Sequence, residues 1–260
     1  MQIKIRLSVL GSGSQGNSVY IETPQTRILV DAGFNAAQTN DRLSQIGVSL
    51  DQIDAILLTH EHGDHSQGIK SIASQYPVLC YTNEKTRKAS KPLEKVKTLA
   101  EFGTNEPFTI KDIQIHPFSV PHDAVDTVCF SLKHEEWKIG IATDFGMILP
   151  PVLEALKDSN ILILEFNHDL ELLEKGPYHS ALKNRIRGDY GHLSNEVSAE
   201  LLKQLLHPTL YHVYLAHLSK ANNSHEIAYL TASKVIEEAF HDRTMIHLTW
   251  QDHISTVAAI

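Results

Sequence analysis

The chain has 260 residues, of which 42% are hydrophobic and 21% are charged, and its formal net charge is −8. These values are typical of a globular protein and argue against a broad basic surface, so any contact with nucleic acid must be local. We find no apolar run long enough to span a bilayer, and the first residues lead into a strand without a cleavable signal pattern. The sequence therefore predicts a cytoplasmic protein without a membrane partner, folded as a single domain over residues 1–260.

The numbers of histidines and cysteines indicate what kinds of site the chain can form. The chain contains sixteen histidines, which is unusual, and imidazole is the commonest metal ligand among side chains. Its two cysteines, Cys80 and Cys129, lie in apolar runs and fit buried strand positions, with a disulfide between them left open.

A glycine-rich loop near the start of the chain matches the letters of a dinucleotide-binding fingerprint. Residues 11–16 read Gly-Ser-Gly-Ser-Gln-Gly and follow a strand-like run. The fingerprint also requires a following helix, whose N-terminus binds the pyrophosphate. Residues 18–23 are instead β-branched and aromatic, and another strand-like run at 27–31 leaves no room for a crossover helix. The pattern predicts an antiparallel meander and no nucleotide cofactor, and it leaves three loop residues as candidates for contacting a substrate phosphate: Ser12, Ser14 and Asn17.

The remaining elements follow one another without repeats or low-complexity linkers. Strand-like runs fall at 3–10, 18–23, 27–31, 54–59, 77–81, 113–120, 127–133, 137–143, 160–165, 211–216 and 245–250. Helical patterns fall at 35–47, 66–75, 149–157, 196–206 and 225–240. The clearest helix is 196–206, because Val197, Leu201 and Leu205 recur at helical spacing. Because the early strands connect directly, we expect an α/β protein with mixed sheets and helices outside them.

The most informative segment is His60-Glu61-His62-Gly63-Asp64-His65, which follows the apolar residues 56–58. We predict that it forms a strand-to-helix loop, with a helix starting at Ser66. A regular helix or strand cannot satisfy so many potential ligands, whereas a tight loop containing a glycine can turn them toward two neighbouring points. A lone histidine is usually a surface or core residue, but this spacing is typical of a metal site.

One loop rarely completes a catalytic metal site, so further ligands should lie at other strand ends. Three polar residues directly follow apolar strand-like runs: His122, Asp144 and His217. Each is a weak signal alone, because a polar residue commonly closes a strand. Together with the 60–65 segment, they supply a further carboxylate and two further imidazoles.

In chain order, Asp31, the 60–65 segment, His122, Asp144 and His217 resemble the five motifs of the metallo-β-lactamase superfamily. The segments LGSGSQGNS, VDAG, LLTHEHGDH, LEFNHD, GPYHSALKNRIRGDYGHLSNEVSAEL and LAHLSKANN are similar to its YycJ (WalJ)-type branch. The resemblance covers nearly the whole chain. It implies an αββα four-layer sandwich of two mixed β-sheets flanked by helices. It also implies a hydrolase that acts as a 5′-to-3′ DNA exonuclease with a role in DNA repair.

The resemblance further implies a dinuclear metal site. One ion would be bound by His60, His62 and His122, the other by Asp64, His65 and His217, and Asp144 would bridge the two. Such a pair of divalent ions would activate a water molecule and stabilise the charge that develops in phosphodiester cleavage. A ligand set of imidazoles and carboxylates suits zinc, manganese or iron, and the sequence does not choose among them.

Three more residues acquire roles through the same resemblance. His192 resembles the helix-opening histidine of the tRNA 3′-processing nucleases of the tRNase Z type, and Glu165 matches the glutamate that orients it. The pair would act as the general acid toward the leaving oxygen, with helix capping as the alternative for His192. Asp31 would orient a ligating imidazole, with a turn position before Gly33 as the alternative.

The substrate is less well determined than the metal site. Lys183, Arg185 and Arg187 precede His192 and could hold phosphates, and His168 is a further candidate for contact. Tyr178, Tyr190 and Phe145 could stack on bases, and each equally fits a core or rim position. These residues favour nucleic acid, in particular DNA ends or single strands, as the partner. The alternatives are a small-molecule thioester or lactone hydrolase and a non-catalytic metal-binding regulator.

Overall fold

The computed structural model describes residues 4–260, so the first residue of the predicted strand 3–10 lies outside it. The described residues form two compact units. The first unit contains the residues up to Pro117 together with Ala124–Val128 and Trp250–Ile260. The second contains Phe118–Asp123 and Cys129–Thr249. The single-domain interpretation of residues 1–260 stays a prediction.

The first unit is built on one mixed sheet. Its strands are β1 (Arg6–Gly11), β2 (Ser18–Glu22), β3 (Arg27–Val30), β4 (Ala55–Leu57), β5 (Leu79–Thr82), β6 (Leu99–Glu101) and β14 (Ala258–Ala259). Their order is β14-β1-β2-β3-β4-β5-β6. β1, β2 and β3 pair antiparallel, and the pairs from β3 to β6 are parallel. Since residues 12–17 connect β1 directly to the antiparallel β2, the predicted meander is confirmed and the dinucleotide-binding arrangement does not form.

Short helices accompany this sheet. They are α1 (Ala36–Ser44), α2 (Gly63–Ser66), α3 (Ile69–Ala73) and α4 (Glu84–Ala89), with 3-10 turns at Leu50–Gln52 and Lys91–Lys95. Asn35 and Gln38 form a capping box that fixes the start of α1. The apolar face of α1 packs with α3 and the sheet in a buried core that includes Leu29, Leu43 and Ile56. A hairpin of β7 (Phe108–Ile110) and β8 (Ile113–Ser119) follows β6 along the chain.

The second unit also contains a mixed sheet. Its strands include β9 (Val128–His134), β10 (Trp137–Ala142), β11 (Ile161–Glu165), β12 (His212–Ala216) and β13 (Met245–Leu248). β9 and β10 pair antiparallel, whereas β10, β11, β12 and β13 are parallel neighbours. Because parallel strands end at the same sheet edge, the residues that follow β10, β11 and β12 are brought to one edge.

The helices of the second unit are α5 (Pro150–Leu156), α6 (Leu170–Lys175), α7 (Ser180–Ile186), α8 (Asn195–Leu205) and α9 (His225–Glu238). α8 confirms the clearest helix of the sequence. Ser194 caps it by accepting a hydrogen bond from the Val197 N–H at 3.3 Å. Leu201 and Leu205 are buried as the spacing predicts, but Val197 is 41% exposed.

The predicted fold class is confirmed: two mixed sheets accompanied by helices. Cys80 and Cys129 are both free thiols buried in strands, so no disulfide joins them. Among residues 4–260, no helix combines the length and the apolar character needed to cross a bilayer. The sequence did not predict the short elements β6, β7, β14, α4, α6 and α7.

Candidate functional site

The first cluster of predicted ligands lies at the end of β4, within the first unit. The His60 ring centroid lies 4.7 Å from that of His62 and 4.2 Å from that of His65. The prediction of a continuous loop over residues 60–65 was wrong, because Gly63–Ser66 forms a helical turn that carries Asp64 and His65. The Ser66 hydroxyl helps to close this turn by donating to the carbonyls of Glu61 at 2.9 Å and His62 at 3.0 Å.

Asp31 holds two imidazoles of this cluster. Its Oδ2 accepts the His65 Nδ1–H at 2.7 Å, and its Oδ1 accepts the Thr59 N–H at 2.9 Å. The Thr59 hydroxyl lies 3.0 Å from each Asp31 oxygen and 2.9 Å from His60 Nδ1. Since that hydroxyl donates to the carboxylate, it accepts from His60 Nδ1–H. One buried carboxylate therefore fixes the ring orientation and the tautomer of both His60 and His65.

The glycine-rich loop packs against the same cluster through Asn17. The Asn17 Nδ2 atom lies 3.0 Å from His65 Nε2 and 3.2 Å from Asp64 Oδ2. Gly33 allows this close approach, because a Cβ atom there would lie 2.0 Å from the Asp64 carbonyl oxygen and 2.4 Å from Asn17 N. Ser12 is buried and Ser14 is exposed, so of these three candidates only Ser14 presents an accessible hydroxyl.

The second cluster lies at the ends of β10, β11 and β12, within the second unit, and Glu165 is its centre. Glu165 Oε1 accepts the Nδ1–H groups of His192 and His217, each at 2.9 Å. Its Oε2 accepts the Leu193 N–H at 3.0 Å. Asp144 adds a carboxylate, whose Oδ1 lies 3.4 Å from His217 Nδ1. Ligand atoms of these four side chains, Asp144, Glu165, His192 and His217, lie within 4.8 Å of one another.

His122 joins the second cluster through its ring. Its Nδ1 lies 3.3 Å from the Gly191 carbonyl oxygen, which can only accept, so Nδ1 carries the proton. The His192 ring centroid lies 5.4 Å from that of His122 and 5.1 Å from that of His217. His192 does not cap α8, since Ser194 occupies that position. The capping alternative is therefore wrong.

One tautomer recurs in both clusters. His60, His65, His122 and His217 each hold Nδ1–H against an acceptor, which leaves a lone pair on each Nε2. Neutral imidazole with an anchored second nitrogen is the form in which histidine binds metals. The donor set of the two clusters consists of imidazole nitrogens and carboxylate oxygens, and it fits a divalent transition ion.

Electrostatics and backbone conformation both distinguish residues of the two clusters. Burial raises the pKa of Glu165, but the neighbouring His192 and His217 outweigh this effect and lower it to about 2. Glu165 is therefore a buried anion that its imidazole partners stabilise. Asp31, Asp144 and His217 all adopt left-handed backbone conformations, with φ values of 64°, 63° and 56°. Such strain in non-glycine residues is concentrated at functional sites.

The predicted phosphate-binding cations are engaged with acceptors inside the second unit. Arg185 forms an ion pair with Asp123, and Arg187 lies 3.2 Å from a carboxylate oxygen of Glu174. Lys183 donates to the Glu174 carbonyl. A substrate phosphate would compete with these acceptors.

His168 occupies a buried position rather than a surface one. It is 1% exposed, and neither of its ring nitrogens has a hydrogen-bond partner among residues 4–260. Burial lowers the pKa of His168, although the nearby Glu165 opposes this effect, so the neutral ring is favoured.

Sequence reasoning missed the residues that connect the candidate ligands. Thr59 links Asp31 to His60, and Asn17 reaches His65 from a loop that was considered only for phosphate. Glu165 was expected to orient His192 alone, yet it holds His217 equally well. The position of Thr59 directly before His60 was an available signal, because a hydroxyl there can reach the imidazole that follows it.

Comparison with known proteins assigns the chain to a family. Residues 26–214 match the family described as the Beta-lactamase superfamily domain. This match covers more than half of the chain, and the chain belongs to the metallo-β-lactamase superfamily.

Full-length relatives narrow the assignment. The chain is 38% identical over 245 residues to Exodeoxyribonuclease WalJ of Streptococcus pneumoniae serotype 2 (strain D39), covering 92% of this chain and 90% of the relative. It is 35% identical over 242 residues to Exodeoxyribonuclease YycJ of Bacillus anthracis, covering 90% of each. Within the superfamily, the chain therefore belongs to the YycJ/WalJ branch.

A solved structure supports the fold. The metallo-β-lactamase fold protein YhfI from Bacillus subtilis superposes with a TM-score of 0.74 at 14% identity, covering 98% of this chain and 99% of that one. At this identity the likeness concerns the fold alone.

Proposed function

We propose that the chain is a metal-dependent nuclease that removes nucleotides from DNA ends in the 5′-to-3′ direction. The observation that carries the proposal is the shared tautomer of His60, His65, His122 and His217, in which Nδ1 carries the proton and Nε2 is the ring nitrogen that can coordinate a metal ion. We take DNA as the substrate because the YycJ and WalJ relatives are named exodeoxyribonucleases.

The metal ligands are assigned by motif within this proposal. His60, His62 and His122 would bind one divalent ion, Asp64, His65 and His217 would bind the other, and Asp144 would bridge them. Asp31 and Glu165 would act as positioning residues, because each holds the Nδ1–H of an assigned ligand. When bound, such ions lower the pKa of a water molecule and neutralise negative charge on a phosphodiester.

The proton for the leaving oxygen would come from His192. Glu165 occupies its Nδ1–H at 2.9 Å, so Nε2 is the ring atom that can exchange a proton with a substrate. The His192 side chain keeps 21% of its surface accessible, whereas that of His217 keeps 5%. Of the two imidazoles that Glu165 holds, His192 is therefore the one suited to contact a substrate.

Contacts with the rest of the substrate are proposed for fewer residues. Ser14 is accessible on the glycine-rich loop, whereas Ser12 and Asn17 shape that loop from within. Arg185 and Arg187 would meet phosphates by exchanging their present carboxylate partners for them. Direct contacts of Lys183 and His168 with substrate stay predictions.

The experiment is digestion of DNA labelled at either the 5′ or the 3′ end. Single-stranded and duplex oligonucleotides are incubated with protein loaded with manganese or zinc, alongside Asp144→Ala. We expect release of mononucleotides from the 5′ end by wild type and loss of that release in the variant. The matched control is Asp242→Ala, since Asp242 is an exposed carboxylate in the second unit outside the assigned ligands.

Two results would contradict the proposal. Intact oligonucleotides together with rapid turnover of activated thioesters or lactones would favour the small-molecule hydrolase. Tight metal binding with no hydrolysis of either substrate class would favour the non-catalytic regulator.

A further inference from the structure

Tyr190 is an exposed aromatic residue that precedes His192 of the second cluster by two residues, and it is one of the three aromatic residues that could stack on bases. Its side chain is 63% exposed. The other aromatic candidates from the sequence are less accessible, since Phe145 is fully buried and Tyr178 is half-buried. The Tyr190 ring is therefore open to contact from outside the protein.

The backbone around Tyr190 is fixed by hydrogen bonds. Asp123 N–H donates to the Tyr190 carbonyl at 3.1 Å, and Gly191 N–H donates to the Gly188 carbonyl at 2.8 Å. His192 N–H donates to the Ile186 carbonyl at 2.8 Å. The backbone of the loop is therefore anchored on both sides of Tyr190.

Gly146 packs closely against the backbone of this loop. A Cβ atom on Gly146 would lie 2.1 Å from the Gly188 carbonyl oxygen and 2.6 Å from Asp189 backbone atoms. Because Gly146 lies two residues after Asp144, the segment that carries a predicted ligand packs directly on the loop that carries Tyr190. Backbone-to-backbone packing of this kind leaves little freedom for the loop to shift.

The same backbone hydrogen bonds connect the Tyr190 loop to the segments that carry His122 and His192. Tyr190 lies two residues before His192, which Glu165 holds, and its carbonyl is bound by the residue that follows His122. The same stretch carries Arg185, paired with Asp123. An exposed tyrosine is thus placed two residues from His192 and five residues from Arg185 in the chain.

We propose that Tyr190 is a stacking platform for a nucleobase of the substrate, close to the nucleotide whose phosphate is cleaved. This inference rests on the proposed nuclease function and adds a residue that holds the strand. A flat ring on a rigid loop binds any base through its π-face, so it would position DNA ends without selecting sequence.

The test uses Tyr190→Ala, Tyr190→Leu and Tyr190→Phe with 5′-labelled oligonucleotides. A parallel substrate set carries one abasic residue at the first, second or third position from the 5′ end. We expect Tyr190→Ala and Tyr190→Leu to raise KM about 5- to 100-fold on ordinary DNA, and Tyr190→Phe to stay within about twofold of wild type. On the substrate that lacks the stacked base, wild type and Tyr190→Ala should become equal.

The control is Tyr229→Ala, because Tyr229 is another exposed tyrosine, 43% accessible, on α9. Its KM should match that of wild type, and metal content should be unchanged in all variants. Suppose that wild type degrades DNA. The stacking inference is then overturned if Tyr190→Ala has the KM of wild type, or if Tyr190→Ala loses activity to the same extent on every abasic substrate. In either case the proposed function stands. If wild type leaves all oligonucleotides intact, the proposed function itself fails.

Discussion

Asp31→Asn tests whether one carboxylate sets the tautomers of the first cluster. The exchange keeps the side-chain volume, and asparagine tolerates the left-handed backbone at φ 64°. Its single oxygen can still accept the Thr59 N–H and hydroxyl. The NH2 group of the introduced asparagine would then replace the oxygen that now lies 2.7 Å from His65 Nδ1. Two hydrogen-bond donors, this NH2 group and the Nδ1–H, would face each other.

The ring of His65 can escape this conflict only by moving its proton to Nε2, where it would face the Asn17 amide nitrogen at 3.0 Å. That tautomer has no lone pair on the atom assigned to the metal. We therefore expect metal affinity to fall about 10- to 100-fold, which corresponds to ~1.4–2.7 kcal/mol. Folding stability should fall by ~1–3 kcal/mol, because a buried charge-assisted hydrogen bond is lost.

The assay is competition for zinc with a chromophoric chelator, combined with urea unfolding of the metal-free protein. The matched control is Asp112→Asn, since Asp112 in the same unit accepts hydrogen bonds from the hydroxyls of Thr23 and Thr26. The control should lose stability without losing metal affinity. Equal zinc affinity in Asp31→Asn and wild type would refute the reasoning.

Further predictions concern stability and thiol reactivity. Gly33→Ala should destabilise the fold by ~1–3 kcal/mol or prevent folding, because its Cβ would lie 2.0 Å from the Asp64 carbonyl oxygen. Burial and the neighbouring His212 lower the pKa of His247 to about 4, so the unfolded chain binds a proton there that the folded chain does not. The stability that the neutral His247 ring contributes is fully present above pH ~6.5. As the pH falls toward 4, the free energy of unfolding should decrease by ~1–2 kcal/mol, as measured by urea unfolding. Burial raises the pKa of Cys80 to about 12, so a thiol reagent at pH 8 should label it only after unfolding.

The glycine and histidine predictions each have a control variant. Gly63→Ala should cost little stability, since nothing lies within 4 Å of a Cβ placed there. His247→Gln should flatten the stability profile between pH 6.5 and 4, whereas His253→Gln, at an exposed position, should leave it as in wild type. Equal unfolding midpoints for the two glycine variants would contradict the packing argument. An unchanged profile in His247→Gln would contradict the linkage argument, and rapid labelling of native protein would contradict the buried thiol.

The sequence predicted the elements that local patterns encode. The meander at the start of the chain and α8 follow from apolar periodicity together with turn or cap residues, and these signals act over a few residues. The 60–65 segment was recognisable for the same reason, because its candidate ligands are crowded into one stretch. His122, Asp144 and His217 were recognisable as polar residues that close apolar runs, and Asp31 was recognised through the family resemblance.

Other features were beyond the reach of local patterns. β6 and β7 have three residues each and β14 has two, too few to display a period of two. α4 reads Glu-Lys-Thr-Arg-Lys-Ala, and only Thr86 of it is buried, so it has no apolar stripe to detect. The bonds from Thr59 to Asp31 and from Glu165 to His217 join residues 28 and 52 positions apart, and folding alone brings them together.

The most direct measurement follows metal binding and DNA cleavage in one titration. Chelated protein receives increasing manganese or zinc while bound metal is counted by elemental analysis and nucleotide release from a 5′-labelled strand is recorded. We predict that release is absent without metal and rises as two ions bind per chain. Full release in excess chelator, or metal binding that leaves DNA intact, would contradict the account.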